Sequence, residues 1–397
     1  MNRISQRVAT LSPSATLAMS QKSAELKAQG VDVINMSVGE PDFNTPDFIK
    51  TAACRAVEEN HSRYTPVAGY LSLREAICGK LKRENGLDFT PDCIVVGNGA
   101  KQELCNVILA TVNPGDEVII PVPAWVSYVE MVKLAEGVPV PVHAGVEQDF
   151  KITAAQLEAA ITPRSRMIML NSPSNPTGSI YSYDELKALA GVLERHPEII
   201  VMTDDIYEHI NFVDRVHSIA EFESLRDRTV VINGVSKAYA MTGWRIGYMA
   251  GPVDIVKAVA KLQGQYTSGP SSIAQKAAEA AYNGPQECVE EMCRAFERRR
   301  DLIVSLAAEI PGWVCNVPQG AFYLFPEVSA YIGKRYGDIE IKSSGDYVMY
   351  LLEHAHVACV DGAAFCAPGY IRLSYTTGDD NIREAMRRIR EASALLH

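Results

Sequence analysis

Lys237 lies between the β-branched run TVVIN (229–233) and a second apolar run, IGYMAG (246–251). A lysine so placed is costly to bury without a partner or a task. Desolvation lowers its pKa, and the neutral amine is a nucleophile that forms imines with carbonyls. Eight residues on, Arg245 is suited to hold a phosphate. The turn Gly97-Asn98-Gly99-Ala100 follows a strand signal at 94–96 and opens a helix. Free amides without bulky side chains make such a turn a candidate phosphate cradle. It is neither a Walker loop nor a dinucleotide fingerprint, because Gln102 stands where the third glycine would be. Asp204 closes an apolar strand, with Tyr207 three residues on. Such a carboxylate fits a helix cap, a metal ligand or the partner of a ligand cation. Asn175, between Pro173 and Pro176, is a plain turn or a rigidly aimed amide. Trp125, past the strand at 117–120, is a core residue or a stacking surface. Gly39 fits a tight turn or a close backbone approach to a ligand. Arg372 alternates with Ile371 and Leu373 in a strand signal, which points to a bound anion.

These side chains need elements to aim them. Strand signals at 94–96, 117–120, 167–170, 198–204 and 229–233 alternate with helical stretches from about residue 93 to 250. That rhythm predicts an α/β fold with a mostly parallel central sheet covered by helices. Ligands on such sheets bind beyond the carboxyl ends of the strands. The 97–100 turn, Trp125, Asn175, Asp204 and Lys237 all fall there. Further helices are expected over 15–29 (started by Ser12 or Ser14, stopped by Gly30), 46–60, 71–85, 252–263, 270–283, 285–309, 344–355 and 379–395. Residues 31–43 read as a strand running into a turn, and the charges of 285–309 as a solvated face. The expected organisation is an arm and part of a small α+β domain (1–45), a large domain (46–289) and the rest of the small domain (290–397).

At 397 residues the chain exceeds one ordinary core. Hydrophobic residues make up 47% and charged residues 22%, the balance of a globular protein. A net charge of −10 argues against a nucleic-acid partner. The nine cysteines are odd in number and form no CxxC pair, which predicts reduced thiols and a cytoplasmic protein. The N-terminal stretch lacks a continuous apolar segment, and no apolar run reaches the ~18 residues of a membrane span.

One ligand would use all the singled-out residues. It needs a phosphate for the turn and Arg245, a flat ring for Trp125, a basic ring nitrogen for Asp204 and a carbonyl for Lys237. Pyridoxal 5′-phosphate has all four. Arg372 is then left for a substrate carboxylate.

The segments NSPSNPTG (171–178), TDDIYEH (203–209), SKAYAMTGWRIGY (236–248) and YIRLSY (370–375) resemble those of class I aminotransferases of pyridoxal-phosphate fold type I. PSAT (13–16), GEPDF (39–43), GAKQ (99–102), WVSYVEMV (125–132) and SIAQ (272–275) are similar to the bacterial aspartate and aspartate/prephenate branch. The resemblance implies that Lys237 anchors the cofactor and moves the proton, and that Asp204 pairs with the ring nitrogen. It implies that Asn175 and Tyr207 bond the phenolic oxygen while Trp125 stacks on the ring. The amides of Gly99, Ala100 and Lys101, with Ser236 and Arg245, would hold the phosphate. Arg372, aided by Asn175, Trp125 and the Gly39 backbone, would bind the α-carboxylate. Tyr64 would reach the phosphate of a neighbouring subunit, making a homodimer with shared sites.

Two departures stand out. Many relatives have serine where this chain has Gly234. Relatives of the animal and enteric enzyme clamp the distal carboxylate with the partner's arginine, but SGPSSIAQ (268–275) has none. The branch is thought to use Lys101 with Ser14 and Thr16, a weaker, point-like clamp. The expected reaction is transfer of the amino group from L-aspartate to 2-oxoglutarate. Prephenate or aromatic substrates are the nearest alternative, and C–S lysis a more distant one.

Overall fold

The computed structural model describes residues 3–397. A four-residue helix, Gln6–Ala9, precedes the first long helix, Ala15–Ala28, whose N-terminal flank is Ser14. The Ser14 hydroxyl makes no capping bond and remains open to other partners. Strand β1 (Ile34–Asn35) follows, the short strand part of the run 31–43, whose remainder is irregular.

The large sheet is built from β2 (Ile94–Gly97), β3 (Glu117–Val122), β4 (Val138–His143), β5 (Ser165–Asn171), β6 (Ile200–Asp204), β7 (Thr229–Gly234) and β8 (Gly247–Ala250). Their order is β2-β8-β7-β6-β5-β3-β4. Strand β8 runs opposite to its neighbours β2 and β7, and the remaining pairs are parallel. The carboxyl ends of β2, β3, β5, β6 and β7 therefore share one edge, the one at which β8 begins. Strand β4 closes the sheet and carries Pro139 and Pro141, residues suited to an edge strand.

Except at edge strand β4, both faces of this sheet are buried, so its strands read as continuous apolar runs rather than alternating ones. Along β5, Met167 and Met169 join one cluster, with Leu104, Val107 and Val259 of the helices at Ala100–Thr111 and Val253–Tyr266. Ile168 and Leu170 face the other way, onto Leu186, Leu189 and Leu193 of the helix at Tyr183–Leu193. On the same face toward β2, Val96, Val231 and Tyr248 pack on helices Asp47–Glu58, Leu71–Asn85 and Ser272–Asn283.

A second core gathers around the 21-residue helix Glu287–Ala307, the helix Asp379–Ala394 and β9 (Tyr323–Leu324). Next come a hairpin of β10 (Arg335–Tyr336) and β11 (Ile339–Glu340), then β12 (Val357–Ala358), β13 (Val360–Asp361) and β14 (Ile371–Ser374). Strand β1 pairs with β12, which brings the N-terminal segment into this second core. Strands β13, β14 and β9 form an antiparallel sheet. The helical stretch 344–355 is α-helical only to Tyr350; Leu351–Ala355 continues as a wider π turn.

The solvated face expected for the long helix is only partly present. Arg294 and Arg298 are exposed. Arg299 instead makes two bonds to Asp42, at 2.7 and 2.9 Å, and lies over Phe43 and Phe296. Arg300 donates to the Pro318 carbonyl and lies over Phe212. Long aliphatic stems let these arginines cover apolar rings while their charges find partners.

Candidate active site

At the common strand edge lies a cavity of ≈ 300 Å3. It is lined by Ser14, Thr16, Gly39, Ala100, Lys101, Trp125, Asn175, Asp204, Tyr207, Ser236, Lys237, Arg245 and Arg372. Residues more than 350 positions apart thus meet in one place. Gly99 sits just behind the lining, against Arg245. Tyr64 lies outside it and is 99% exposed.

The turn after β2 reaches the cavity at Ala100 and Lys101. Gly99 takes φ +83°, which glycine adopts without steric cost, and opens the helix at Ala100. The Gly99 amide is already used: it donates to the Gly97 carbonyl at 2.8 Å. The amides left at the helix start are those of Ala100 and Lys101, so the cradle is one donor smaller than the resemblance implies. Arg245 is held over it by the carbonyls of Thr242 and Asn98, at 2.8 and 3.1 Å. Ser236 lines the same cavity.

Gly234 is explained by packing. A side-chain carbon there would come within 2.8 Å of both the Gly247 Cα and the Ile246 carbonyl. Strands β7 and β8 approach too closely at this point for a side chain to fit without a shift of the backbone.

Asp204, at the end of β6, is buried. Its Oδ2 accepts from the Tyr128 hydroxyl at 2.6 Å and its Oδ1 from the Ile206 amide at 3.3 Å. Burial pushes its pKa up to about 6, against those two hydrogen bonds and the Lys237 charge. No metal ligand set surrounds it: the one cluster of metal-ligating groups among the described residues is Glu84, Glu208 and His209. A desolvated carboxylate of this kind is suited to a cationic N–H.

Lys237 donates to the Gly39 carbonyl at 2.6 Å and lies 5.7 Å from the ring centres of Tyr207 and Phe322. Burial lowers its pKa to about 8, opposed by the Glu40 charge and assisted by Arg372 and Arg245. Near neutrality an appreciable fraction is the neutral amine that chemistry on carbonyls requires.

Arg372 is 2% exposed. Its guanidinium donates to Asn175 Oδ1 at 2.9 Å and to the Ser37 carbonyl at 2.6 Å, and lies over the rings of Tyr323 and Phe365. Its Nε has no partner. No carboxylate among the described residues pairs with it. Lys101, at another wall, lies 5.1 Å over the Trp125 ring, its pKa lowered by burial and by Arg245.

Four contributors escaped the sequence reading. Tyr128 follows Trp125 by three residues and packs edge-on against it at 5.5 Å; that helical spacing was its only signal. Asn171 ends β5 as Asp204 ends β6, and bonds both the Asn175 amide and the Asp204 carbonyl. Its position after an apolar strand could have marked it. The Ser37 carbonyl and Tyr323 carried no local signal, because backbone acceptors and tyrosines within apolar runs look structural.

Residues 31–389 match the family profile of class I and II aminotransferases. The chain belongs to that family. An aspartate/prephenate aminotransferase of Cereibacter sphaeroides is 52% identical over 389 residues, 97% of each chain. An aspartate aminotransferase of Geobacillus stearothermophilus is 50% identical over 98% of each. Among solved structures, the aspartate aminotransferase of Rhizobium meliloti superposes with a TM-score of 0.97, at 44% identity over the whole of both chains. That of Thermus thermophilus with maleate gives 0.92, at 41% identity over 99% of this chain and all of that one.

The α/β fold is accordingly fold type I, and aminotransferases of this class work with pyridoxal 5′-phosphate. The donor set fits that cofactor. Two free amides and Arg245 suit its phosphate, a desolvated carboxylate its ring nitrogen, the Trp125 ring its face, and a deep lysine its carbonyl.

Proposed function

We propose that this aminotransferase moves the amino group of L-aspartate to 2-oxoglutarate in a ping-pong cycle. The observation that carries the substrate class is Arg372. A buried guanidinium with an unpaired Nε and no counter-carboxylate among the described residues leaves an unmet electrostatic demand in the cavity. An α-carboxylate meets it in a bidentate way. A second cation, Lys101, with the hydroxyls of Ser14 and Thr16, supplies a site for a distal carboxylate. The Thermus thermophilus relative with maleate, itself a dicarboxylate, supports the same pairing.

Pyridoxal 5′-phosphate, when bound, supplies the carbonyl and the electron-withdrawing ring. The protein's own groups do the rest. Lys237 Nζ takes the Cα proton of the amino acid and later returns a proton. Asp204, held by Tyr128, keeps a proton on the ring nitrogen. Asn175 and Tyr207 would face the phenolic oxygen. Trp125 and the buried cavity walls limit water.

A second acceptor is favoured by one observation. Beyond Lys101 a cleft of ≈ 900 Å3 shares Ser14, Lys101, Val126, Ser127 and Arg245 with the cavity. Lys101 has a flexible stem, and its displacement would open room for prephenate or an aromatic ring. Tyr64, so exposed in the single chain, is assigned to the neighbouring site of a homodimer. The division into units at about residues 45 and 290 belongs to the same reading. So does a cytoplasmic location, which the nine free thiols suit.

A panel of amino donors against 2-oxoglutarate, with prephenate as an alternative acceptor, tests the reading. L-aspartate is expected to give the highest kcat/KM. Pyruvate release from cystathionine without transfer to 2-oxoglutarate would overturn it in favour of C–S lysis.

A further inference from the structure

Tyr323 is where the two halves of the site touch. It stands on β9, is 1% exposed, and its neighbour across the sheet is Ser374, two residues past Arg372. Its hydroxyl lies 2.8 Å from the Tyr207 hydroxyl. Its ring carries the Arg372 guanidinium at 4.5 Å. A side-chain carbon on Gly39 would come within 2.0 Å of its hydroxyl, so the backbone that accepts from Lys237 rests against it.

A phenol has one proton to donate and lone pairs to accept with. If Tyr207 gives its proton to an anionic oxygen in the cavity, only its lone pairs are left for a neighbouring hydroxyl, which must then be the donor in any bond between them. Arg372 is over the Tyr323 ring and bonded elsewhere, so it does not donate to Tyr207. Tyr323 is the hydroxyl bonded to Tyr207. The order of donation is then Tyr323 to Tyr207 to the ligand oxygen.

We propose that Tyr323 is a positioning residue with two duties: its hydroxyl orients Tyr207 as a donor, and its ring is the platform that holds Arg372. The proposal rests on the reading that Tyr207 faces the cofactor's phenolic oxygen. It adds that the group docking the substrate carboxylate and the group tuning the cofactor share one side chain.

Tyr323→Phe separates the duties, since it keeps the ring and removes the hydroxyl. A donor to the phenolic oxygen draws off negative charge and makes the adjoining nitrogen less basic. Weakening that donor raises its basicity. The pH midpoint of the bound cofactor's visible absorbance should therefore rise by about half a pH unit, with KM for L-aspartate changed less than about twofold. In a Tyr207→Phe background the same substitution should leave the midpoint in place, which a merely structural role would not produce. Tyr323→Leu, lacking the ring, should in addition raise KM for every amino donor by roughly three- to tenfold. An unmoved midpoint in Tyr323→Phe, or an equal shift with and without the Tyr207 hydroxyl, overturns the relay. An unchanged KM in folded Tyr323→Leu overturns the platform. The midpoint is read without an amino acid, so a failed donor panel sinks the substrate assignment alone.

Discussion

At the residue scale the cavity is a set of ionisable groups held away from water. Arg372 has neutral acceptors but no anion, and its removal should affect all substrates alike. Arg372→Ala is expected to lower kcat/KM by roughly a hundredfold for every amino acid tested, chiefly through KM, as steady-state kinetics would show. A loss confined to aspartate would contradict its role. Lys237 gives a pH prediction for the cofactor-free protein. Its folded pKa, about 8, lies below the ordinary 10.5, so the unfolded chain binds more protons between those values. Stability must then rise with pH across that window. Lys237→Met should be about 3 kcal/mol more stable than wild type near pH 7, with the gap closing toward pH 10.5. Denaturant unfolding at pH 7, 8.5 and 10 checks this; a pH-independent gap would disprove the desolvated cation. Asp204 works in the other sense: its folded pKa of about 6 is raised, so its contribution falls between pH 4 and 6.

At the element scale the strand ends aim the site, and a buried network behind them holds their spacing. Lys80, 1% exposed on the helix Leu71–Asn85, pairs with Glu208, immediately after Tyr207. Glu208 also accepts from Asn85 at 2.7 Å and from Asn233 at 2.6 Å, and the Asn233 side chain accepts from the Gly234 amide. One carboxylate thus ties a helix to the ends of β6 and β7, which carry Tyr207 and Lys237. Glu208→Ala leaves Lys80 charged, buried and without its main partner. The expected cost is about 3–5 kcal/mol, read as a large fall in melting temperature. Lys80→Met in the same chain should recover part of it.

At the scale of the whole molecule the site belongs to two cores and, in the proposed dimer, to two chains. Strand β14 of the second core delivers Arg372 to the edge of a sheet whose last strand, β8, ends about 120 residues earlier in sequence. If Tyr64 completes the neighbour's site, mixing Tyr64→Ala with Lys237→Ala creates dimers with one intact site. The mixture, after subunit exchange, should exceed the mean of the two variants alone and approach about a quarter of wild-type turnover. Activity equal to that mean would argue against shared sites.

Much of this was legible because chemistry marks residues that folding alone would not choose. A lysine between apolar strands, a carboxylate and an arginine within them, and glycines opening a helix each broke the apolar pattern, and alternating strands put most of them at one edge. The sequence by itself determined the cofactor chemistry, because costly charges at strand ends need a ligand to justify them. It also determined the central sheet, whose strands are apolar on both faces. Only the tertiary structure decided which amides remain free at Ala100 and Lys101, and that Arg372 lacks a carboxylate. It alone showed why position 234 must be glycine, and that Tyr128, Asn171 and Tyr323 support the site. Those facts depend on hydrogen bonds and packing between distant segments, and no local pattern of residue types encodes which distant partner a polar group will meet.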